Sequence, residues 1–399
     1  EKPSLLIAKG IISRMGGAER DLLRRLPHLT KWYNVSVATL SSCLELESLC
    51  RSNNIHLFKP EEEWIPEYTA SSQIFDKIHT SSKSAWLDCH DLMSRISMFD
   101  YFHIVSGDGY LGIMELLPKA KKSHLYLLEP HRGFHEDSLH RNLFGKLQRP
   151  KFITNLLLSK GRNNDLRIVK QFSQKNNTIV TGNSSYTSRR IEEVYGIKCD
   201  FIHPCVDRKE YTDDIKQSPN PYPESKTSEY VVTIGTANWA KGSIETISML
   251  SGTDISLVHV GGGSNSEIKI LHSHASFKKV DLWVAPQLSS QQLSVLMKES
   301  LAIVSMAHKE PFGLTPIEAF SIGTPAIFVD DGGFKDSIID GDCGRLLPRH
   351  DYTKWHAALN ESRNKDTRER WAAAGRKRII ELKLSPEEQA EKIHQILQN

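Results

Sequence analysis

Cysteine pairs, long apolar runs and a strong net charge are all absent from this sequence of 399 residues. Its six cysteines form no C-x-x-C motif, which argues against a structural zinc site and favours reduced thiols in a cytoplasmic protein. No run reaches the ~18 apolar residues that cross a bilayer. The stretch EKPSLLIAKGI is expected to be a short apolar strand and not a signal peptide. The net charge of +3 is too small to indicate nucleic acid as a partner.

Repeated apolar runs are what the sequence does contain, and its length allows two domains with a core each. The runs are SLLIAKG, NVSVATL, FHIVSG, HLYLLEP, TIVTGNS and CDFIHP in the first half, and YVVTIGT, ISLVHVGGG, DLWVAP, LAIVSMA and PAIFVDD in the second. They are continuous, which is typical of buried parallel strands, and helical patterns separate most of them. The sequence therefore predicts two doubly wound α/β domains.

The boundary between the two domains is expected in a polar, proline-rich passage at residues 207–229. An N-terminal domain would then span residues 1–206 and a C-terminal domain residues 230–384. The last segment, 385–399, predicts a helix capped by Ser385 that crosses back to the N-terminal domain.

The stretch HKEPFGLTPIEAF places two carboxylates, Glu310 and Glu318, on either side of a glycine turn and a helix start. Thr315 as N-cap, proline after it and Glu318 three residues on predict a capping box. The free N–H groups at such a helix start, with those of Gly313 and Leu314, favour an anion. The stretch predicts a phosphate site flanked by two acids, although Glu318 could serve the cap alone.

Four glycine turns follow predicted strands, and each taken singly allows more than one interpretation. MGGAERDLLRRL, with Gly17, suits close approach to a ligand or a simple tight turn. TIGTANWAKG places Lys241 ahead of a helix, where it could reach a diphosphate or be merely solvated. VHVGGGSN carries Ser266 where the dinucleotide fingerprint has its third glycine, and is a weak nicotinamide signal. VDDGGFKDSI is ambiguous.

The order of these motifs resembles the GT-B retaining glycosyltransferases of the family-4 type, also called glycosyltransferase group 1. In that family two glutamates separated by seven residues mark the donor site, and here they are Glu310 and Glu318. The resemblance covers the second half and reaches the first through GGAER and TIVTGNSSYTSRRIEEVYG. It implies the GT-B fold, in which two Rossmann-like domains face each other across a cleft that holds the site.

The resemblance also implies a role for each motif residue. Glu318 would hold the ribose hydroxyls of the nucleotide, and Glu310 would lie beside the donor sugar as a catalytic residue. Lys241 would neutralise the leaving diphosphate, an electrostatic contribution that usually dominates such catalysis. The other donor contacts implied are Gly17 near the phosphates, Gln287 at the base, and the backbone N–H groups of Phe312, Gly313, Leu314 and Thr315 at the distal phosphate.

Two positions depart from the family pattern. Gly235–Thr236 stands where the family commonly has glycine and arginine, so Lys241 would carry more of the phosphate charge. Leu128 stands where the family often has a histidine that touches the transferred sugar. His131 is the nearest replacement, and we expect it to contact the donor sugar or its phosphate. The other polar candidates are Glu129, Arg132 and His135.

The implied reaction is transfer of a sugar, as by a hexosyltransferase, from a UDP-sugar to a polysaccharide or lipid-linked glycan acceptor, with anomeric retention. No cofactor or metal is expected, since lysine and helix N–H groups would do the work of a cation and the sequence has no D-x-D motif. A nucleotide-sugar epimerase and a catalytically silent glycan-binding GT-B module remain as alternatives. Incubation with UDP-sugars without acceptor would separate the three.

Residues 146–175 carry eight lysines and arginines against one acid, Asp165. The block predicts either a solvated helical face or a surface that meets anionic lipid headgroups or a phosphorylated acceptor. The second interpretation would make a cytoplasmic enzyme peripheral to the membrane.

Overall fold

The computed structural model describes residues 2–211, 218–226 and 228–399. They form two compact units. The first unit contains residues 2–137, 149–205 and 386–399, and the second contains residues 138–148 together with the described part of 206–385. Residues 212–217 and 227 of the predicted linker lie outside the described residues.

Strands and helices alternate in both units. The strands are β1 Ser4–Lys9, β2 Asn34–Ala38, β3 His56–Phe58, β4 Tyr101–Ser106, β5 Lys122–Leu127, β6 Thr178–Thr181, β7 Tyr230–Ile234, β8 Ser256–Val260, β9 Leu282–Val284, β10 Ala302–Ser305, β11 Ala326–Val329 and β12 Arg345–Leu347. The helices are α1 Gly17–Leu29, α2 Leu44–Ser52, α3 Ala70–Phe75, α4 Lys77–Asp88, α5 His90–Arg95, α6 Arg132–His135, α7 Lys151–Ser173, α8 Ser185–Tyr195, α9 Ser243–Leu250, α10 Asn265–Lys278, α11 Ser290–Lys298, α12 Thr315–Ile322, α13 Phe334–Ser337, α14 Tyr352–Glu361, α15 Lys365–Glu381 and α16 Pro386–Gln398.

Each unit has one parallel sheet of six strands, and the two sheets share a topology. The first runs β3-β2-β1-β4-β5-β6 and the second β12-β11-β10-β7-β8-β9. Both are the doubly wound order, in which the chain works outward from a central strand first to one side and then to the other. The predicted fold class is confirmed.

Two strands were missed by the sequence analysis, and one predicted strand is absent from the described residues. β3 and β12 are three residues long and lie at sheet edges, where a short segment shows little apolar pattern. The run CDFIHP forms only an isolated bridge, Gly182 to Phe201. The prediction of a strand there was wrong, because the run lies beyond the last strand of its sheet and pairs at that single bridge.

Residues 138–148 belong to the second unit, although the sequence analysis placed them in a domain ending at residue 206. Leu143 is buried in the apolar core of that unit. The guanidinium of Arg141 lies 5.0 Å from the centre of the Trp239 ring. Packing of this kind is decided by partners about a hundred residues away and has no local signature.

The C-terminal helix α16 belongs to the first unit and packs on α1. The His394 ring stacks on Trp32 at 4.7 Å, and its Nδ1 lies 2.8 Å from the Tyr33 hydroxyl. Gln389 is buried and donates to Asp21 Oδ1 at 2.9 Å. Apolar and polar contacts together therefore hold the helix in place.

A buried polar chain crosses the first sheet from α1 to β6. Arg25 pairs with Asp21 at 2.5 Å and lies 3.3 Å from His103 Nε2. His103 Nδ1 is 3.0 Å from His124 Nδ1, and His124 Nε2 is 2.8 Å from Thr181 Oγ1. Because a guanidinium can only donate, His103 Nε2 accepts, and every later bond is satisfied by neutral imidazoles. Burial and the charge of Arg25 accordingly lower the pKa of both histidines.

Within the described ranges, no helix is both long and apolar enough to cross a membrane.

Candidate functional site

The sheet of the second unit changes direction between β7 and β10. In doubly wound folds ligands bind outside the carboxyl ends of the strands at this switch point. The loop after β7 carries Lys241, and the loop after β10 carries Glu310. Two residues that were singled out from motifs about 70 positions apart therefore follow neighbouring strands.

Lys241 and Glu310 are in direct contact. Nζ of Lys241 lies 2.8 Å from Oε2 of Glu310, and the two side chains are 34% and 17% exposed. An ammonium group has three donors, so Lys241 can keep this bond and still offer hydrogen bonds to a phosphate oxygen. The pair thus places an accessible cation next to a carboxylate at the switch point.

Two glycines and an asparagine set the position of Lys241. The lysine ends a short 3₁₀ helix, Trp239–Lys241, whose cap Asn238 accepts from the Lys241 N–H at 2.9 Å. Gly235 lies against the aliphatic part of the lysine, where a Cβ would be 3.0 Å from Cγ. Gly242 has φ +66°, and a Cβ there would collide with the carbonyl oxygen of Met306. The lysine side chain consequently runs close to the strand end.

Contacts with the segment after β11 hold the loop that carries Glu310. Gly333 N–H donates to the Glu310 carbonyl at 2.7 Å. Gly332, at φ +58°, approaches so closely that a Cβ would lie 2.7 Å from the Glu310 nitrogen. The ambiguous motif VDDGGFKDSI is therefore explained, since its two glycines let one backbone pack on another.

Arg349 braces the same loop from a third direction. Its guanidinium donates to the carbonyl oxygens of Met306 and Ala307 and pairs with Asp331 at 2.9 Å. The family commonly has an arginine where this chain has Thr236. Arg349 is a different arginine, and its bonds are to the loop backbone and to Asp331. Among the described residues, no group of three His, Cys, Asp or Glu side chains could hold a metal ion.

Helix α12 begins at Thr315, one residue earlier than the capping-box prediction requires. Leu314 is the N-cap, and no side-chain hydrogen bond caps the helix. Glu318 N–H donates to the Leu314 carbonyl at 2.9 Å, the first turn of the helix. The prediction of Thr315 as N-cap was wrong, because Thr315 is itself the first helical residue. Pro316 is tolerated at the second position because the N–H groups of the first turn have no partner within the helix. The N–H groups of Gly313, Leu314 and Thr315 still precede or open the helix.

Glu318 is buried, and its carboxylate has a partner that the sequence did not suggest. The side chain is 4% exposed, and Oε1 accepts a hydrogen bond from the Tyr211 hydroxyl at 2.9 Å. Tyr211 is itself buried at the end of the 3₁₀ helix Arg208–Tyr211. A carboxylate has about four acceptor positions, so this bond is compatible with further hydroxyl donors. Tyr211 thereby orients the residue for which a ribose contact was predicted.

Phe312 and Gln287 differ in their surroundings. Phe312 is 1% exposed and belongs to the core of the second unit, so only its backbone could contact a ligand. Gln287 is exposed and follows β9, the edge strand, which β8 separates from β7. Its contact with a base stays a prediction.

The first unit has its own switch point, between β1 and β4. Lys9 at the end of β1 is 5% exposed and pairs at 3.0 Å with both Glu19 and Asp108. Burial lowers the pKa of Lys9, but the charges and hydrogen bonds of Asp108 and Glu19 outweigh it and raise the pKa to about 12. Gly17 is the first residue of α1, and Glu19 also accepts from the Gly16 N–H at 3.1 Å. A buried lysine and two acids therefore tie α1 to both central strands.

His131 caps α6, a use that the sequence analysis did not predict. Its Nδ1 accepts from the Phe134 N–H at 3.2 Å, which leaves the proton on Nε2 in the neutral ring. The ring contacts Gly109 and Gly133, where a Cβ would lie 2.5 Å and 3.0 Å from ring carbons. Burial lowers the pKa of His131. A donor-sugar contact through Nε2 stays a prediction.

The residues around His131 have structural partners. Leu128, at the family's histidine position, is 9% exposed and packs in the apolar core. Arg132 lies 3.6 Å from Glu129, and His135 lies 2.7 Å from Asp165. The leucine that replaces the family's histidine at position 128 therefore has a packing role in the core.

Comparison with known sequences identifies the second half of the chain. Residues 214–378 match the family described as glycosyl transferases group 1. This part of the chain is a group 1 glycosyl transferase domain. It contains Lys241, Glu310 and Glu318, and the resemblance that the motifs indicated is confirmed for it.

Curated relatives match only part of the chain. A D-inositol 3-phosphate glycosyltransferase of Rhodococcus erythropolis is 24% identical over 196 residues, 45% of this chain and 44% of the relative. A similar enzyme of Thermomonospora curvata is 35% identical over 69 residues, 17% of this chain and 16% of the relative. The chain therefore spans less than half the length of these relatives.

Solved structures resemble the whole chain at low identity. A glycosyltransferase from Rickettsia africae has a TM-score of 0.68 at 15% identity and covers 100% of this chain and 98% of its own. Anabaena HepE in complex with UDP and glucose has a TM-score of 0.69 at 14% identity, with 99% of both chains covered. Likeness at this identity establishes the GT-B fold.

No sequence motif pointed to Tyr211, Arg349, Lys9 or Asp108. Their partners are 99 residues away for Lys9 and Asp108 and 107 for Tyr211 and Glu318. The one available signal was position, because Lys9 and Asp108 follow apolar runs, and strand ends gather at one edge of a parallel sheet.

Proposed function

We propose that the chain is a retaining glycosyltransferase that moves a sugar from a UDP-sugar to a polysaccharide or lipid-linked glycan. The observation that carries the proposal is the 2.8 Å pair of Lys241 and Glu310 at the switch point of the glycosyl transferase domain. The match to group 1 glycosyl transferases supports sugar transfer. The complex of HepE with UDP and glucose, a protein of the same fold, favours UDP among the possible nucleotides.

In the proposed reaction, the bond from the anomeric carbon to the diphosphate oxygen breaks, and the oxygen of an acceptor hydroxyl bonds to that carbon on the same face. The proton of the hydroxyl passes to the released diphosphate. The released diphosphate gains negative charge, which Lys241 and the N–H groups of Gly313 to Thr315 would stabilise. Glu310 holds the lysine and would lie beside the sugar. Glu318, oriented by Tyr211, would accept hydrogen bonds from the ribose hydroxyls. No metal is required in this scheme.

A glycan acceptor is supported by aromatic side chains beside the first unit's switch point. Tyr110 follows β4 and packs on Gly10, directly after β1. The Tyr110 hydroxyl lies 2.6 Å from that of Tyr68, and the Trp64 ring meets the Tyr110 ring edge-on at 5.2 Å. Such residues combine an apolar face with a polar tip, which suits the mixed surface of a sugar.

A groove of about 730 Å³ continues from Trp64 along α4. Hydroxyl and carboxylate groups of Thr80, Ser84, Asp88 and Glu61 line it. These groups accept hydrogen bonds from hydroxyls, and the carboxylates disfavour a phosphorylated ligand. We infer that neutral sugar units of the acceptor occupy this groove.

A cytoplasmic location is the last part of the proposal. All six cysteines carry free thiols, and reduced cysteines are usual in a reducing compartment. Fractionation of the host cell with an epitope on the protein tests this location.

Transfer is tested in two steps. A thermal-shift panel of UDP, GDP and ADP, each with and without its sugars, identifies the donor. Radiolabelled sugar from that donor is then followed into extracts of polysaccharide and lipid-linked glycan, and the anomeric configuration of the product is read by NMR. Inversion would contradict retention. Interconversion of the free donor without acceptor would identify an epimerase, and binding without any turnover a silent module.

A further inference from the structure

The solvent-facing side of α7 exposes large apolar side chains at its beginning. Phe152 is 72% exposed, Leu156 75% and Ile153 38%. Phe152 and Leu156 lie one turn apart on one face of the helix, and Lys160 follows another turn along. Adjacent exposed side chains of this size mark an interaction surface more often than a solvated one.

The helix presents no negative charge beside these side chains. Asp165, the single acid of α7, is 5% exposed, accepts from the Tyr195 hydroxyl at 2.7 Å and lies 2.7 Å from His135 Nε2. Lys160 and Lys170 are exposed on the same side of the helix as Phe152. The basic sequence block therefore forms a helix face that is apolar at one end and carries exposed lysines farther along.

Acids from neighbouring elements meet only part of this positive charge. Glu115 lies 3.2 Å from Arg167, and Asp137 lies 3.4 Å from Lys151. Helix α3 packs against α7 and adds two more partly exposed apolar side chains, Ile74 at 43% and Phe75 at 56%.

We propose that the membrane-docking surface, Phe152, Ile153 and Leu156 with Lys160 and Lys170, binds the protein to an anionic lipid bilayer. The apolar side chains would enter the region between headgroups and acyl chains while the lysines bind the headgroups. A bilayer fits better than a protein partner, because a few apolar residues followed by isolated lysines are too small for a stable protein interface. The inference does not depend on the proposed transfer reaction.

Sedimentation of the full chain with vesicles tests the proposal. Vesicles of equal parts phosphatidylcholine and phosphatidylglycerol should bind the protein, and pure phosphatidylcholine should bind it much more weakly. The double variant F152S/L156S should bind the mixed vesicles more weakly than the wild type by about 100-fold or more, given the loss of two buried apolar side chains. The variant K160Q/K170Q should lose about 5-fold per charge at low ionic strength.

Salt separates the two contributions. High salt screens the lysines and should abolish the difference between K160Q/K170Q and the wild type, whereas the deficit of F152S/L156S should persist. L44S and M98S are matched controls, because Leu44 and Met98 are 77% and 71% exposed elsewhere in the first unit. Both should bind as the wild type does.

F152W supplies an independent measurement that does not require a loss of binding. It should bind vesicles like the wild type, and its additional tryptophan emission should shift to shorter wavelength on binding. Equal binding of neutral and anionic vesicles, wild-type binding by F152S/L156S, an equal loss in L44S, or an F152W emission that does not move would each overturn the proposal. None of these results requires a donor, so they leave the transfer reaction to its own test.

Discussion

The hydrogen bond between Tyr211 and Glu318 allows the structural and the nucleotide-binding roles of Glu318 to be measured separately. Tyr211→Phe removes a hydroxyl that donates at 2.9 Å to a carboxylate that is 4% exposed. A hydrogen bond to a charged group contributes about 1.5–3 kcal/mol, so the free energy of unfolding should fall by that amount. Glu318→Gln keeps an oxygen that can accept from Tyr211, and its loss of stability should be smaller.

The affinity for UDP should show the opposite order. Glu318→Gln replaces the carboxylate that the ribose hydroxyls would meet, which should weaken binding by ~1–3 kcal/mol, or roughly 5- to 150-fold in Kd. Tyr211→Phe keeps that carboxylate and should weaken UDP binding less. Thermal or urea unfolding and titration calorimetry with UDP measure the two quantities.

Tyr222 provides the matched control for Tyr211. It is also buried in the second unit, but its hydroxyl has no hydrogen-bond partner among the described residues. Tyr222→Phe should therefore leave stability and UDP affinity unchanged or slightly improved. If Glu318→Gln binds UDP as the wild type does, the ribose role of Glu318 is refuted. If Tyr222→Phe lowers the free energy of unfolding as much as Tyr211→Phe, the stabilising role of the Tyr211–Glu318 hydrogen bond is refuted.

Four further predictions concern turnover, metal, the first unit and pH. Glu310→Gln should mainly lower turnover, and a variant that loses only donor affinity would contradict this. Transfer should survive EDTA; full loss restored by manganese or magnesium would show that a metal is needed. His131→Ala should cut turnover by ~10- to 100-fold with UDP affinity nearly unchanged. His131→Asn can still cap α6 and should lower turnover by the same factor. If asparagine restores turnover, the histidine serves only as the helix cap. Burial and Arg25 keep His103 and His124 neutral, with the pKa of His124 lowered to about 3, whereas the unfolded chain binds protons below about 6.5. The free energy of unfolding should then fall as pH drops below 6.5, by up to ~1.4 kcal/mol per pH unit and histidine, and equal urea midpoints at pH 7 and 5 would refute this.

Local sequence patterns were sufficient to predict the fold class and to locate the donor motif. The longer apolar runs became strands because a buried parallel strand must be apolar on both faces, whatever its partners are. The glycine turns and the helix start near Thr315 are likewise decided by the backbone preferences of a few adjacent residues. Glu310, Glu318 and Lys241 could be singled out for this reason, together with the family resemblance of their order.

The hydrogen-bond partners of individual side chains could not be predicted from local sequence patterns, even within these motifs. The capping box at Thr315 obeyed every local rule, yet the helix takes Leu314 as its cap and Glu318 bonds to Tyr211. His131 was singled out for a missing family histidine, but its Nδ1 serves the Phe134 N–H. A side chain with several possible partners chooses among them only when the surrounding packing is complete.

The order of strands, turns and motif residues along the chain could therefore be read from local patterns alone. The folded chain was needed to show that Lys241 contacts Glu310 and that Lys9 lies between Glu19 and Asp108. It was also needed to assign residues 138–148 to the second unit. The physical reason is that parallel strands bring their carboxyl ends to one edge of a sheet from anywhere in the chain. Contacts made there depend on strand order and register, which the spacing of residues in the sequence does not specify.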